Sequence, residues 1–130
     1  MANYYGVART NYFRVKDEAA FRAWAANYPV EIQNADDGFC LLPDDSGDGS
    51  TFPNAHPETG DEIDFFKELS AHLTEDSIVV HMESGHEKLR YIIGIAEAYN
   101  HKGECVQISL THIYDLAEKK FGHKPTPCEY

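Results

Sequence analysis

The sequence predicts an α+β domain: a mainly antiparallel sheet of about five to six strands with three helices packed on it. Three observations carry this reading. Several short stretches are rich in aromatic and β-branched residues, as strands are. Three others place apolar residues at the 3.6-residue helical period. Strands joined by hairpins outnumber crossover units, which disfavours a parallel sheet. A chain of 130 residues and 14.7 kDa suits a single domain, 1–130, around one core.

Residues 4–15, YYGVARTNYFRV, read as a strand bent at Gly6. A helix follows from about Asp17 to Tyr28, with Phe21, Trp24, Ala25 and Tyr28 forming one apolar stripe that places Trp24 in the core. Asp17 suits the N-cap, Glu18 the positive helix end, and Pro29 stops the helix. Val30–Gln33 and Phe39–Leu42 are two short strands around the turn-forming run Asn34-Ala35-Asp36-Asp37-Gly38. Residues 43–60 form a long loop of Pro, Gly, Asp and Ser, a length that usually signals function or mobility.

Thr59 and Glu62 have the spacing of a capping box for a second helix, about 61–73. Its apolar face is Ile63, Phe66, Leu69 and Leu73, and its other face shows Asp61, Glu62, Asp64 and Glu68. Residues 77–110 read as an antiparallel meander: a strand Ile78–Glu83, a connection Ser84–Lys88, a long strand Leu89–Tyr99 containing Arg90, and a last strand Cys105–Leu110. Val106, Ile108 and Leu110 share one face of that last strand, and Gly103 supplies the positive φ of the preceding turn. Thr111 caps a final helix with Ile113, Leu116, Ala117 and Phe121 apolar, and Gly122 ends it. The tail, 123–130, with two prolines, is irregular.

Charge is the most informative feature. The formal net charge is −11, yet Glu31–Asp76 alone holds 13 acids against one base, Lys67, so it carries −12 and the remainder +1. A chain this acidic repels the phosphate backbone, which argues against direct nucleic-acid binding. No apolar run approaches a membrane span, and the polar, aromatic N-terminus has no signal-like core, so the expected location is a bacterial cytoplasm. Three well-separated cysteines fit free thiols there: Cys40 and Cys105 in the core, Cys128 exposed in the tail.

Signals for catalysis or metal binding are sparse. Asp44-Asp45-Ser46-Gly47-Asp48-Gly49 begins like a calcium loop, but Ala55 stands where the bidentate glutamate belongs, and Pro43 and Pro53 deny the flanking helices. His81, Glu83 and His86, with Glu87, bracket a predicted turn and are weak metal candidates, surface histidines being the commoner outcome. They are the basis of a subordinate reading as a small metal-dependent enzyme. A thiol–imidazole pair of Cys40 or Cys105 with His81 or His112 needs spatial information to judge, and buried thiols are usually inert. Phosphate-loop, dinucleotide and serine-hydrolase motifs are absent. Tyr4, Tyr5, Tyr12 and Phe13 are better explained as strand packing than as base-stacking groups. No catalytic residue, metal or cofactor is therefore assigned.

The opening YYGVARTNYFRVKDEAAFRAW and the later EKLRYIIGIAEAYNHKGECVQISLTHIYDLA resemble a family of small acidic proteins carried by phages, plasmids and other mobile elements. The stretches cover under half the chain and carry no catalytic motif. The resemblance implies a setting in which such proteins inhibit host defence, as anti-CRISPR and anti-restriction proteins do.

The resulting expectation is a non-enzymatic inhibitor that acts as a DNA mimic. It would bind a basic nucleic-acid site on a host defence protein or ribonucleoprotein complex through Asp36, Asp37, Asp44, Asp45, Asp48, Asp61, Glu62, Asp64 and Glu68. The competing reading is an accessory interaction module of a mobile element whose acidic surface only keeps it solvated. The oligomeric state is open on sequence grounds.

Overall fold

A computed structural model describes residues 5–36, 38–44 and 51–128. The elements run β1 (Tyr5–Thr10), α1 (Glu18–Ala25), β2 (Val30–Ala35), β3 (Gly38–Pro43), α2 (Phe65–Ser70), β4 (Val79–Glu87), β5 (Tyr91–Tyr99), β6 (Cys105–Ser109) and α3 (His112–Phe121). The class is α+β, with every named strand pair antiparallel. The strands form a four-stranded sheet in the order β1-β4-β5-β6 and a two-stranded sheet β2-β3.

Thr10 and Asn11 tie the two sheets together. The Thr10 hydroxyl accepts the Leu41 N–H at 2.8 Å, and the buried Cys40 thiol donates to the Thr10 carbonyl at 3.4 Å, so β3 is fastened to the end of β1. The Asn11 side chain extends the β1–β4 ladder: its amide donates to the Ile78 carbonyl at 3.0 Å and its oxygen accepts the Val80 N–H at 2.8 Å. Beyond it, Phe13 exchanges backbone hydrogen bonds with Phe39, both at 2.8 Å. That approach requires Gly38, which sits at φ 132, because a Cβ there would come within 2.2 Å of the Phe13 carbonyl oxygen.

The core lies between α1, α2, the small sheet and the β4–β5 end of the large one. Phe13, Phe21, Leu41, Leu69, Leu73 and Val79 are buried in it, with Phe65, Phe66, Tyr28 and Tyr99 closing an aromatic cluster. The predicted stripe of α1 is correct, with Phe21 and Ala25 buried and Trp24 partly buried against the core. Asp17 caps α1 as expected by accepting the Ala20 N–H at 3.1 Å. Within the expected 43–60 loop, residues 45–50 lie outside the described residues, and so does the distal part of the calcium-like run. Farther along, Phe52 packs into the core and Ala55 bridges Glu62.

Five local expectations are corrected. Helix α2 is shorter than 61–73 and is capped by Asp64, which accepts the Lys67 N–H at 3.2 Å, while Thr59 instead accepts the Asp61 N–H. An aspartate immediately before two consecutive core phenylalanines competes better for the cap than a threonine six residues before Phe65. The expected connection Ser84–Lys88 is largely strand: β4 runs to Glu87, and the turn moves to Lys88–Arg90, with Lys88 at φ 51. Arg90 therefore lies in that turn, its guanidinium 5.2 Å from the Tyr91 ring centre. Cys105 is exposed, because β6 is a sheet edge. Thr111 flanks α3 but its side chain makes no capping bond, since its backbone is already helical.

Candidate functional site

The predicted binding residues fall into three groups. Asp37, Asp45 and Asp48 lie outside the described residues. Asp36 is exposed in the β2–β3 turn, Asp44 is exposed just past β3, and Asp61 and Glu62 are exposed before α2. Asp64 is also exposed but is occupied as the cap of α2, and Glu68 is half-buried and engaged internally. The Glu68 carboxylate accepts the Trp24 indole N–H at 3.0 Å and the Tyr28 hydroxyl at 2.8 Å, bracing α1 against α2. A surface role was expected for Glu68 because helical spacing put it opposite Phe66 and Leu69, but Trp24 and Tyr28 reach across to that side.

This aromatic brace shapes local protonation. Burial, reinforced by the hydrogen bond to Glu68, pushes the Tyr28 phenol up to about 12, so it remains a donor. Burial first, and the Lys16 charge second, lower the His72 imidazole below its usual value; its ring packs 5.3 Å from that of Trp24. The Thr74 hydroxyl, 2.8 Å from Asp76, holds that carboxyl below the usual range.

His81, Glu83 and His86 do not converge. All three belong to β4, where alternation sends His81 and Glu83 to one face and His86 to the other. His86 lies beside the Tyr5 ring, 5.8 Å between centres. Among the described residues no group of three or more His, Cys, Asp or Glu is placed to hold a metal ion. His81 is buried, stacked on Phe66 with ring centres 3.8 Å apart, and its Nε2 is 2.7 Å from Glu97. The second Glu97 oxygen takes the Cys105 thiol at 4.0 Å. A carboxylate thus stands between thiol and imidazole, the reverse of the order in which an imidazole takes a thiol's proton. Tyr99, in the same corner, has its phenol raised by burial first and by Cys105 and Glu97 after it.

An unexpected apolar surface lies on the other side of the four-stranded sheet. Register aligns Val7, Ser84 and Gly94 in one row and Arg9, Met82, Ala96 and Ile108 in the next. These rows line a groove of about 640 Å³ that adjoins a second of about 770 Å³ toward Tyr5 and Ile92. Leu110 closes one side of both, its N–H donating to the Gly94 carbonyl at 2.9 Å. Gly94 gives it room, since a Cβ there would lie 2.9 Å from Leu110 side-chain atoms. Of the aromatics expected to pack, Phe13 is buried, Tyr5 and Tyr12 are exposed, and Tyr4 lies outside the described residues.

Helix α3 shares this exposure. Ile113, Leu116 and Phe121 form the stripe expected to pack on the sheet, but no α3 residue is buried. A signal for this surface exists in the sequence: Tyr91-Ile92-Ile93-Gly94-Ile95-Ala96 is apolar on consecutive positions, the pattern of a strand covered on both faces. Among the described residues, no helix is long and apolar enough to cross a membrane. Compared with family models, with curated proteins and with solved structures, the chain finds no match.

Proposed function

We propose that the chain is a non-enzymatic inhibitor that offers its acidic lobe to a basic nucleic-acid-binding surface, on a host defence nuclease or CRISPR effector, in place of the nucleic acid. The observation that carries this reading is the segregation of charge onto a lobe whose core closes without it. Segment 31–76 holds −12, contributes β2, β3 and α2, and leaves Asp36, Asp44, Asp61 and Glu62 exposed. Crowded carboxylates repel one another, so such a surface costs stability that a cationic partner offsets. Duplex DNA presents a charge about every 1.7 Å of its axis, and a carboxylate surface competes for the same Lys and Arg groups. Asp64 caps α2 from the surface, and Glu68 braces α1 against α2.

The test variant is therefore Asp36→Lys, Asp61→Lys and Glu62→Lys together, leaving Asp64 and Glu68 in place. At low salt, the wild type should retain from bacterial lysate a nucleic-acid-binding protein that added duplex DNA releases, and the folded triple variant should not. Single reversals at an exposed rim should cost only about 0.2–1 kcal/mol each. Retention by the triple variant equal to wild type would contradict the proposal. The accessory-module reading, in which charge only solvates, is favoured by the exposed apolar sheet. It predicts retention that survives high salt, whereas a charge-mediated complex weakens steeply.

A further inference from the structure

The described fold contains a sheet face without a helix and a helix without a sheet. The face of β1-β4-β5-β6 bearing Met82 and Ile108 leaves these residues 61% and 67% exposed. Helix α3, ten residues long, leaves Leu116 60% and Phe121 72% exposed. A helix under about 12–15 residues is marginal in water unless its apolar stripe is packed. A sheet with an apolar face likewise requires a second layer. We propose that a second copy of this chain supplies both: α3 of each protomer lies across the sheet face of its partner, in a reciprocal two-fold dimer.

Area, charge and topology support this occupant. Ten apolar side chains of the four strands, Leu110 and α3 are more than half exposed. At ~60–120 Å² for a fully exposed aliphatic side chain and more for an aromatic one, they amount to roughly 500–800 Å². That approaches the ~800 Å² per partner of a standard interface and exceeds the largest apolar patch of many monomers. The four strands and α3 all lie outside segment 31–76, in the part of the chain that carries +1, and only Leu42 of β3 joins the groove from that acidic segment, so the helix-to-face contact is made chiefly by near-neutral sequence. An acidic lobe in the interface would instead set like charges against each other. Two-fold symmetry requires a self-complementary contact, which a helix and a groove on the same chain provide. In addition, β6 is a sheet edge whose Val106 is 72% exposed, and natural proteins cover or charge such edges.

This inference stands apart from the acidic-lobe proposal, and its test uses no cationic partner. Sedimentation velocity of the full chain over a concentration series should reveal a species of roughly 29 kDa, twice the 14.7 kDa of one chain. Met82→Lys on the face and Leu116→Glu on the helix should each give a monomer while keeping wild-type circular dichroism. An equimolar mixture should restore the dimer, because the heterodimer has one unaltered joint and one that opposes lysine to glutamate. Should either variant misfold, Ile108→Lys and Ile113→Glu take their places, and the wild-type series needs no variant. A wild type that stays monomeric throughout would overturn the proposal, leaving the face to a different chain. A dimer that survives either substitution, or is not restored by mixing, would overturn the helix-to-sheet geometry.

Discussion

Phe66 and Ile108 are both large apolar residues in regular elements, yet the first is 5% exposed and the second 67%. Phe66 belongs to the acidic lobe, where it meets His81, Phe52, Phe65 and Tyr99. Ile108 belongs to a near-neutral region where strand and helix stripes meet only the rim of a groove. Net charge and completeness of packing are therefore separable in this fold. The strongly acidic segment closes a core together with Phe13, Phe21, Tyr28, Val79 and Tyr99 from the rest of the chain, whereas the β5–β6 and α3 region leaves its layer open. Specific recognition by charge suits the first region, and association by apolar burial suits the second.

The largest effect should come from breaking the closed region. Phe66→Ala should destabilise by about 3–5 kcal/mol in chemical denaturation, whereas Ile108→Ala in dilute protein should stay within about 0.5 kcal/mol. The second figure should grow with protein concentration if Ile108 is covered by association. Equal losses for both variants at high dilution would erase the contrast between the two regions.

Glu68→Leu should come next. It leaves the Trp24 N–H and Tyr28 O–H without their acceptor, a loss of about 2–3 kcal/mol in the same measurement. A near-neutral result would return Glu68 to the set of surface carboxylates. Asp64→Ala, removing the cap of α2, should cost about 1 kcal/mol, and Thr59→Ala should lie within about 0.5 kcal/mol. The opposite ranking would reinstate the capping box expected from sequence.

The smallest effect is a pH dependence confined to the closed region. Because burial lowers the His72 pKa from 6.5, the unfolded chain binds a proton more readily than the folded one. Stability should therefore fall as pH drops through the window just below 6.5. His72→Phe, which keeps a ring beside Trp24, should flatten the melting temperature across that window. An unchanged slope in the variant would assign the dependence to other groups.

Local patterns disclosed the elements of both regions, but not the contacts that join them or the cover of the open layer. The α1 stripe, the Asp17 cap, the Gly103 turn at φ 79 and the Gly122 terminus at φ 80 follow from local chemistry, and the structure has them. Phe66, Leu69 and Leu73 are buried where helical spacing places them, although α2 itself is shorter. Glu68 was illegible because its partners are 40 and 44 residues away, so no local pattern encodes the brace. The extent of β4 was obscured by Ser84-Gly85-His86, residues that favour turns and are held in strand by pairing with both β1 and β5. For α3, the stripe was legible but its cover was not, because amphipathicity states that a face is apolar without naming what packs on it.

One region closes its core within the protomer, and the other is completed, on the proposal above, by association. Amide hydrogen exchange of the wild-type chain across a concentration series tests this directly. The prediction is that amides of α3, β5 and β6 exchange more slowly as concentration rises, while those of α2 and β3 keep the same protection throughout. Protection of α3 that is already complete at the lowest concentration, or absent at the highest, would contradict it.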